Sequence, residues 1–123
     1  MSNVGLVLIS HSPKVVEGIK DIITQVIRNV PIELAGGTDH NEIGTSFEKI
    51  QAAIEQVYNE RGVVLLYDLG SAMMNAEMAI EFSNYENIKI ADNVPLVEGA
   101  YVAAVESGMG KSLDEVMDAI SKV

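Results

Sequence analysis

Strand-like and helix-like segments alternate along the whole 123-residue chain. This alternation predicts an α/β fold: an open, mainly parallel sheet of about four strands with helices on both faces. Two details support it. Val4-Gly5-Leu6-Val7-Leu8-Ile9 is a continuous apolar run, as expected of a strand covered on both sides. Helix-start signals then follow strand-like runs rather than clustering in one half of the chain.

The first strand leads into Ser12-Pro13. Serine caps helices, and proline suits the first helical position because its missing N–H would be an orphan there. Val15, Val16, Ile19, Ile22, Ile23, Val26, Ile27 and Val30 recur at helical spacing after it. Ile32-Glu33-Leu34-Ala35 reads as a second strand, closed by Gly36-Gly37. A loop with Thr38, Asp39 and His40 leads to a helix opened by Thr45 or Ser46, with Phe47, Ile50, Ile54, Val57 and Tyr58 on one face.

Gly62-Val63-Val64-Leu65-Leu66-Tyr67 reads as a third strand, and Asp68-Leu69-Gly70-Ser71 turns the chain into a third helix over residues 71–83. Met73, Met74 and Met78 on that helix are expected to pack in the core. Ile88-Lys89-Ile90 is a short fourth strand. A helix rich in small residues follows from Val94 to Ser107, in which Ala100, Ala103 and Ala104 allow close backbone approach. Gly108 and Gly110 stop it. Ser112-Leu113-Asp114-Glu115 reads as a capping box opening the last helix. With no repeat, low-complexity segment or linker, residues 1–123 are expected to form a single domain.

Composition narrows the function classes. Eight Lys and Arg stand against 18 Asp and Glu, a formal net charge of −10. Such a chain repels phosphate backbones and anionic lipid, so neither nucleic acid nor a membrane is an expected partner. An acidic face can steer a basic protein, although net charge also simply maintains solubility. There are no cysteines, which excludes disulfides and thiolate metal sites and suits a reducing compartment. Met1-Ser2-Asn3 lacks the basic start of a secretory signal, and Val4 to Ile9 is too short for its apolar segment. The expected location is the cytoplasm.

In an open parallel sheet, ligands bind beyond the carboxyl ends of the strands, where strand order reverses. Those ends carry Ser10-His11-Ser12, Gly36-Gly37-Thr38, Asp68-Leu69-Gly70-Ser71 and Asp92-Asn93. If the first and third strands are neighbours, His11 and Asp68 share the crevice. A carboxylate that accepts the Nδ1 proton fixes the tautomer and leaves Nε2 with a free lone pair, a nucleophile at neutral pH. Helix N-termini at Ser12 and Ser71, with backbone N–H groups at Gly37 and Thr38, can hold phosphoryl oxygens. Phosphoryl transfer asks mostly for positioning and charge stabilisation. The plainer alternatives are a histidine that caps a strand end and an aspartate that caps a turn. His40, beside Asp39 in a polar loop, is expected to be exposed and inert.

Two patterns resemble other chemistries and fail on spacing. Gly108-Met109-Gly110-Lys111-Ser112 matches the end of a P-loop, but Val105 stands where the first glycine is needed and a helix precedes it. Asp68 at the end of a third strand matches the phosphorylated aspartate of receiver domains, but Ser10-His11 stands where acidic metal ligands would be. No His, Asp or Glu cluster has metal-ligand spacing, and no dinucleotide fingerprint is present, so neither a metal nor a bound cofactor is expected.

Taken together, Val7-Leu8-Ile9-Ser10-His11-Ser12, Gly36-Gly37-Thr38, Tyr67-Asp68-Leu69-Gly70-Ser71-Ala72 and Pro95-Leu96-Val97-Glu98-Gly99-Ala100 resemble the DhaM family. These are the phosphotransferase subunits of phosphoenolpyruvate-dependent dihydroxyacetone kinases, whose catalytic domain has the mannose-type IIA fold of the sugar phosphotransferase system. The resemblance covers essentially the whole chain. It implies that His11 is phosphorylated on Nε2 by the phosphohistidine of the carrier HPr, and that Asp68 orients it. Gly37, Thr38 and the Gly70-Ser71 turn would line the phosphate site, to which the helix start at Ser12 adds. The acceptor would be ADP, with magnesium, on a DhaL subunit, and the resulting ATP would phosphorylate dihydroxyacetone bound covalently on DhaK. Family members are typically homodimers. Some carry further phosphocarrier domains behind this one, and a chain ending at Val123 is expected to use a separate HPr. The mannose-type fold also has a fifth, antiparallel strand near its C-terminus, where helices are read here.

The alternative with the same chemistry is a mannose-type IIA component that passes the group to a IIB domain of a sugar transporter. A third reading is a regulatory module whose phosphorylation state signals sugar supply.

Overall fold

The computed structural model describes residues 2–123; Met1, the first residue of the expected domain, lies outside them. Four strands, β1 (Gly5–Ser10), β2 (Ile32–Gly36), β3 (Val63–Tyr67) and β4 (Ile88–Ile90), form one sheet in the order β2-β1-β3-β4. Every neighbouring pair is parallel. The helices are α1 (Pro13–Thr24), α2 (Phe47–Val57), α3 (Met73–Ser83), α4 (Leu96–Gly108) and α5 (Leu113–Ile120). This is the expected open parallel α/β sheet. Among the described residues no fifth strand is present, and the C-terminal segment is helical.

Side chains of a strand alternate between faces, and both faces of this sheet are covered. Leu6 and Leu8 of β1, with Val64 and Leu66 of β3, pack on one side against Val16, Ile19 and Ile23 of α1 and residues of α4 and α5. Val7 and Ile9, with Val63, Leu65 and Tyr67, pack on the other side against Ile50, Ala53, Ile54 and Val57 of α2 and Ala76 and Ala79 of α3. That is why β1 and β3 read as unbroken apolar runs. The small residues of α4 have the expected consequence: Ala100, Ala103 and Ala104 are wholly buried against the sheet.

Periodicity misled in two helices. Only Val16, Ile19 and Ile23 of the α1 stripe are buried, while Val15, Ile22 and Val26 are exposed. The helix ends at Thr24, so Val26 to Val30 belong to the connection rather than to its face. On α3, Met73 packs against the core, but Met74 is 76% exposed and Met78 and Phe82 face outward with it. Ala76, Ala79 and Ile80 supply the buried face instead. Both helices are apolar on more than one side, so period alone cannot say which side is inside.

The local punctuation was legible. Pro13 occupies the first turn of α1. Ser46 accepts a hydrogen bond from the Lys49 N–H at the start of α2. Ser112 and Glu115 form both halves of the capping box of α5. The P-loop-like segment is a helix stop: the N–H groups of Met109, Gly110 and Lys111 donate back to carbonyls of Val105, Ser107 and Glu106. It lies against Arg61, whose guanidinium donates to the carbonyls of Gly110 and Lys111. Arg61 precedes β3, so this turn sits at the opposite end of the sheet from the strand carboxyl ends.

No helix of the described residues is long and apolar enough to cross a membrane.

Candidate active site

The chain leaves β1 toward β2 on one side and returns to β3 on the other, so strand order reverses between β1 and β3. A crevice opens outside the carboxyl ends of strands at such a point. Ile9 pairs with Tyr67 across that boundary, and the residues just beyond, His11 and Asp68, meet there. The Nδ1 atom of His11 lies 3.0 Å from Oδ1 of Asp68. The two side chains are 21% and 22% exposed, open enough to meet a partner.

Among the described residues Asp68 receives four hydrogen bonds. His11 Nδ1 and the Leu69 N–H, at 3.0 and 2.7 Å, donate to Oδ1. The Ser10 hydroxyl and the His11 N–H, at 2.8 and 3.0 Å, donate to Oδ2. Partial burial pushes the carboxyl pKa up, but the bonds from His11, Ser10 and Leu69 outweigh it and hold Asp68 below its ordinary value. Asp68 is therefore a carboxylate and can only accept, so Nδ1 carries the hydrogen. Nε2 of the neutral ring is left as an acceptor, and the Ser71 hydroxyl lies 2.8 Å from it.

Ser71 and Gly70 open the 3₁₀ turn Gly70–Ala72 that runs directly into α3. Both are exposed beside His11. The first N–H groups of a helix have no partner within it, and they favour negative charge. Ser12 stands before α1 in an extended conformation. Its side chain makes no capping bond; its N–H donates to the Ser10 hydroxyl at 3.0 Å. The expected side-chain cap is thus replaced by Pro13 at the helix start.

Gly37 and Thr38 lie beside the site but do not present free N–H groups to it. The Gly37 N–H donates to the Ser10 carbonyl at 3.0 Å and the Thr38 N–H to the Glu42 carbonyl at 2.9 Å. The Thr38 hydroxyl accepts from the N–H groups of His40 and Glu42. These two residues therefore knit the loop between β2 and α2, and the expectation that their N–H groups face phosphoryl oxygens is corrected. Gly37 has a φ of +77°, and a Cβ there would stand 2.7 Å from Pro13 Cγ. The same loop reaches the site through the Gly44 N–H, which donates to the His11 carbonyl at 2.9 Å. His40 is exposed. At the fourth strand end, Asp92 accepts a 2.6 Å bond from the Tyr67 hydroxyl. That bond, then burial, raises the Tyr67 phenol pKa.

Sequence reasoning missed Ser10 and the Leu69 N–H. The one signal for Ser10 was a polar residue closing an otherwise apolar strand immediately before a histidine. Among the described residues no group of three or more His, Asp or Glu side chains could hold a metal ion.

An open parallel sheet that brings one histidine and one aspartate together at its topological switch point, with helix starts around them, defines a class: a small α/β domain with a single oriented, partly exposed imidazole. The chain belongs to the EIIA-man family, described as the PTS system fructose IIA component and matched over residues 5–117, and within it to the DhaM proteins. It is 38% identical over 120 residues to the PTS-dependent dihydroxyacetone kinase phosphotransferase subunit DhaM of Lactococcus lactis, covering 97% of this chain and 94% of that one. It is 45% identical over 105 residues to the phosphoryl donor subunit DhaM of the PEP-dependent dihydroxyacetone kinase 1 of Listeria innocua, covering 85% and 82%. A crystal structure of EF1359, a protein described as of unknown function, superposes with a TM-score of 0.87 at 28% identity over 99% of this chain and 95% of that one.

Proposed function

We propose that this chain is the phosphoryl donor subunit of a phosphoenolpyruvate-dependent dihydroxyacetone kinase, with His11 as the residue that carries the phosphoryl group. The observation that carries the reading is the His11–Asp68 pair at the switch point, in a chain similar to DhaM proteins over most of its length.

The chemistry follows from the geometry. Asp68 holds the Nδ1 hydrogen, so the Nε2 lone pair is the nucleophile. The Ser71 hydroxyl rests on that lone pair and turns aside as phosphorus arrives. A new N–P bond forms at Nε2 while the N–P bond of the donor phosphohistidine on HPr breaks, and the donor imidazole keeps that electron pair. Charge on the three phosphoryl oxygens is met by Ser71, by the N–H groups at Gly70 and Ser71, and by Ser12 at the positive end of α1. Gly37 and Thr38 shape the wall of the site.

In the second transfer a β-phosphate oxygen of ADP, held with magnesium on DhaL, attacks phosphorus. The Nε2–P bond breaks, ATP forms, and His11 recovers its lone pair. That ATP phosphorylates dihydroxyacetone held on DhaK. No proton needs to leave Nδ1 in either step. The phosphohistidine is transient, and this chain itself needs neither metal nor cofactor.

The net charge of −10 favours docking of basic protein faces. We further propose a cytoplasmic homodimer; the outward apolar side chains Met74, Met78 and Phe82 of α3 support a self-contact. Sedimentation of the purified chain tests this.

A second reading, favoured by the description of the family as a fructose IIA component, is transfer to a IIB domain of a sugar transporter. The test is discharge. Phosphorylated protein is offered ADP-loaded DhaL or a IIB domain. Loss of the group to DhaL, with formation of ATP, is the expected result; discharge to IIB alone would replace the kinase reading.

A further inference from the structure

Ser10 is the one fully buried polar side chain of the site, at 0% exposure, and the chemistry above gives it no part. It closes a strand that otherwise reads Gly5-Leu6-Val7-Leu8-Ile9, all buried. A buried hydroxyl is costly unless it is bonded, and an apolar residue would fill a strand position at less risk. Here the hydroxyl is used in both directions. It donates to Asp68 Oδ2 at 2.8 Å and accepts from the Ser12 N–H at 3.0 Å. Accepting a bond polarises the O–H and strengthens the one it gives.

The consequence lies in the Asp68 carboxylate. Two oxygens offer about four lone-pair sites, and all are taken: Ser10 and the His11 N–H on Oδ2, His11 Nδ1 and the Leu69 N–H on Oδ1. Three of the donors belong to the backbone or to the ring that is being oriented. Among the described residues, Ser10 supplies the only bond to Asp68 from a third side chain. Without it Oδ2 keeps one donor, from the same residue whose ring Oδ1 must orient. The carboxylate is then freer to turn, and Nδ1 loses its fixed acceptor.

We infer that Ser10 is a positioning residue. Its hydroxyl fixes the plane of the Asp68 carboxylate, so that Oδ1 is presented to His11 Nδ1 and the Nε2 lone pair is kept for phosphorus. The same hydroxyl ties this orientation to Ser12, the residue before α1, so the acceptor and the start of the helix move as one unit. The kinetic half of the inference rests on the reading of His11 as nucleophile; the tautomer half rests on geometry alone.

The test compares wild type, Ser10→Ala, Ser10→Thr, Asp68→Asn and the Ser10→Ala/Asp68→Asn double variant. The ring nitrogens of His11 are read by ¹⁵N NMR in mildly alkaline buffer, and phosphoryl uptake from phospho-HPr is timed on the same samples. Wild type and Ser10→Thr, which keeps the hydroxyl, should show the Nδ1–H tautomer. Ser10→Ala should raise the Nε2–H form about fivefold and slow uptake about tenfold, the scale of one bond to a charged group. The double variant should be no slower than Asp68→Asn, because Ser10 acts through Asp68. The His11 signals of folded and unfolded chain are resolved from each other, so a loss of stability in Ser10→Ala does not decide the outcome. A wild-type tautomer ratio in Ser10→Ala, or the same tenfold loss added on top of Asp68→Asn, would overturn the inference. If wild type took up no phosphoryl group, the reading of His11 would fail, while the ring-nitrogen comparison would still decide the role of Ser10.

Discussion

Nδ1 of His11 and Oδ1 of Asp68 stand 3.0 Å apart, and Asp68 is held in that position by three further donors. A carboxylate so saturated orients a ring without taking its proton. The ring lone pair left open is then at Nε2, with the Ser71 hydroxyl resting on it.

Asp68→Asn should do more than remove a charge. An amide oxygen can accept only part of what the carboxylate accepts, and its NH₂ group would face donors. The tautomer is then no longer enforced. Phosphoryl uptake should fall by up to about 10⁴-fold, the cost of a mis-set tautomer in serine proteases. Rapid-quench timing of labelling by phospho-HPr measures it, and full activity would remove Asp68 from the account.

Ser71→Ala should change the balance of transfer rather than abolish it. The hydroxyl leaves Nε2 before attack, and afterwards it can donate to a phosphoryl oxygen. A bond to charged oxygen is worth more than one to neutral nitrogen. The phosphorylated form should lose about 1 kcal/mol more than the free form, moving the equilibrium with HPr about fivefold toward HPr. Intact mass of both proteins at equilibrium reads this ratio, and an unchanged ratio would take Ser71 off the phosphoryl group.

The lowered pKa of Asp68 links stability to pH. Its folded value lies below the ordinary 3.8, so its contribution is fully present above 3.8. That contribution is lost as pH falls through the folded value. Asp68→Asn lacks this titration. Its melting temperature should lie below wild type at neutral pH, and the two should converge in acid. A gap that stays constant into strong acid would contradict the cause assigned to the shift.

Gly37→Ala should destabilise the loop that borders the site. Its φ of +77° disfavours a side chain, and the added Cβ would meet Pro13 Cγ at 2.7 Å and the Glu42 carbonyl at 2.8 Å. A loss of about 1–3 kcal/mol is expected in urea unfolding. Gly70→Ala has open space around its Cβ and should change stability by less than about 0.5 kcal/mol.

What the sequence carried was local. Unbroken apolar runs, Ser12-Pro13 and the Ser112–Glu115 box state their own structure, because their partners lie within a few residues. His11 and Asp68 were found because each ends a strand, and the loops beyond strand ends meet at a switch point. Ser10 reads as one more position of the first strand, and only the folded sheet shows its hydroxyl turned onto Asp68. Nothing in Gly37 and Thr38 themselves shows that their N–H groups are taken, by the Ser10 and Glu42 carbonyls respectively. Met74 and Met78 read as core residues because α3 is apolar on several sides, and only the sheet decides which side is covered.

Whether His11 carries the phosphoryl group is decided by intact mass after incubation with phosphoenolpyruvate, enzyme I and HPr, with His11→Ala measured alongside. Wild type should carry one acid-labile phosphoryl group and the variant none. Stable label on His11→Ala, or none on wild type, would contradict that role.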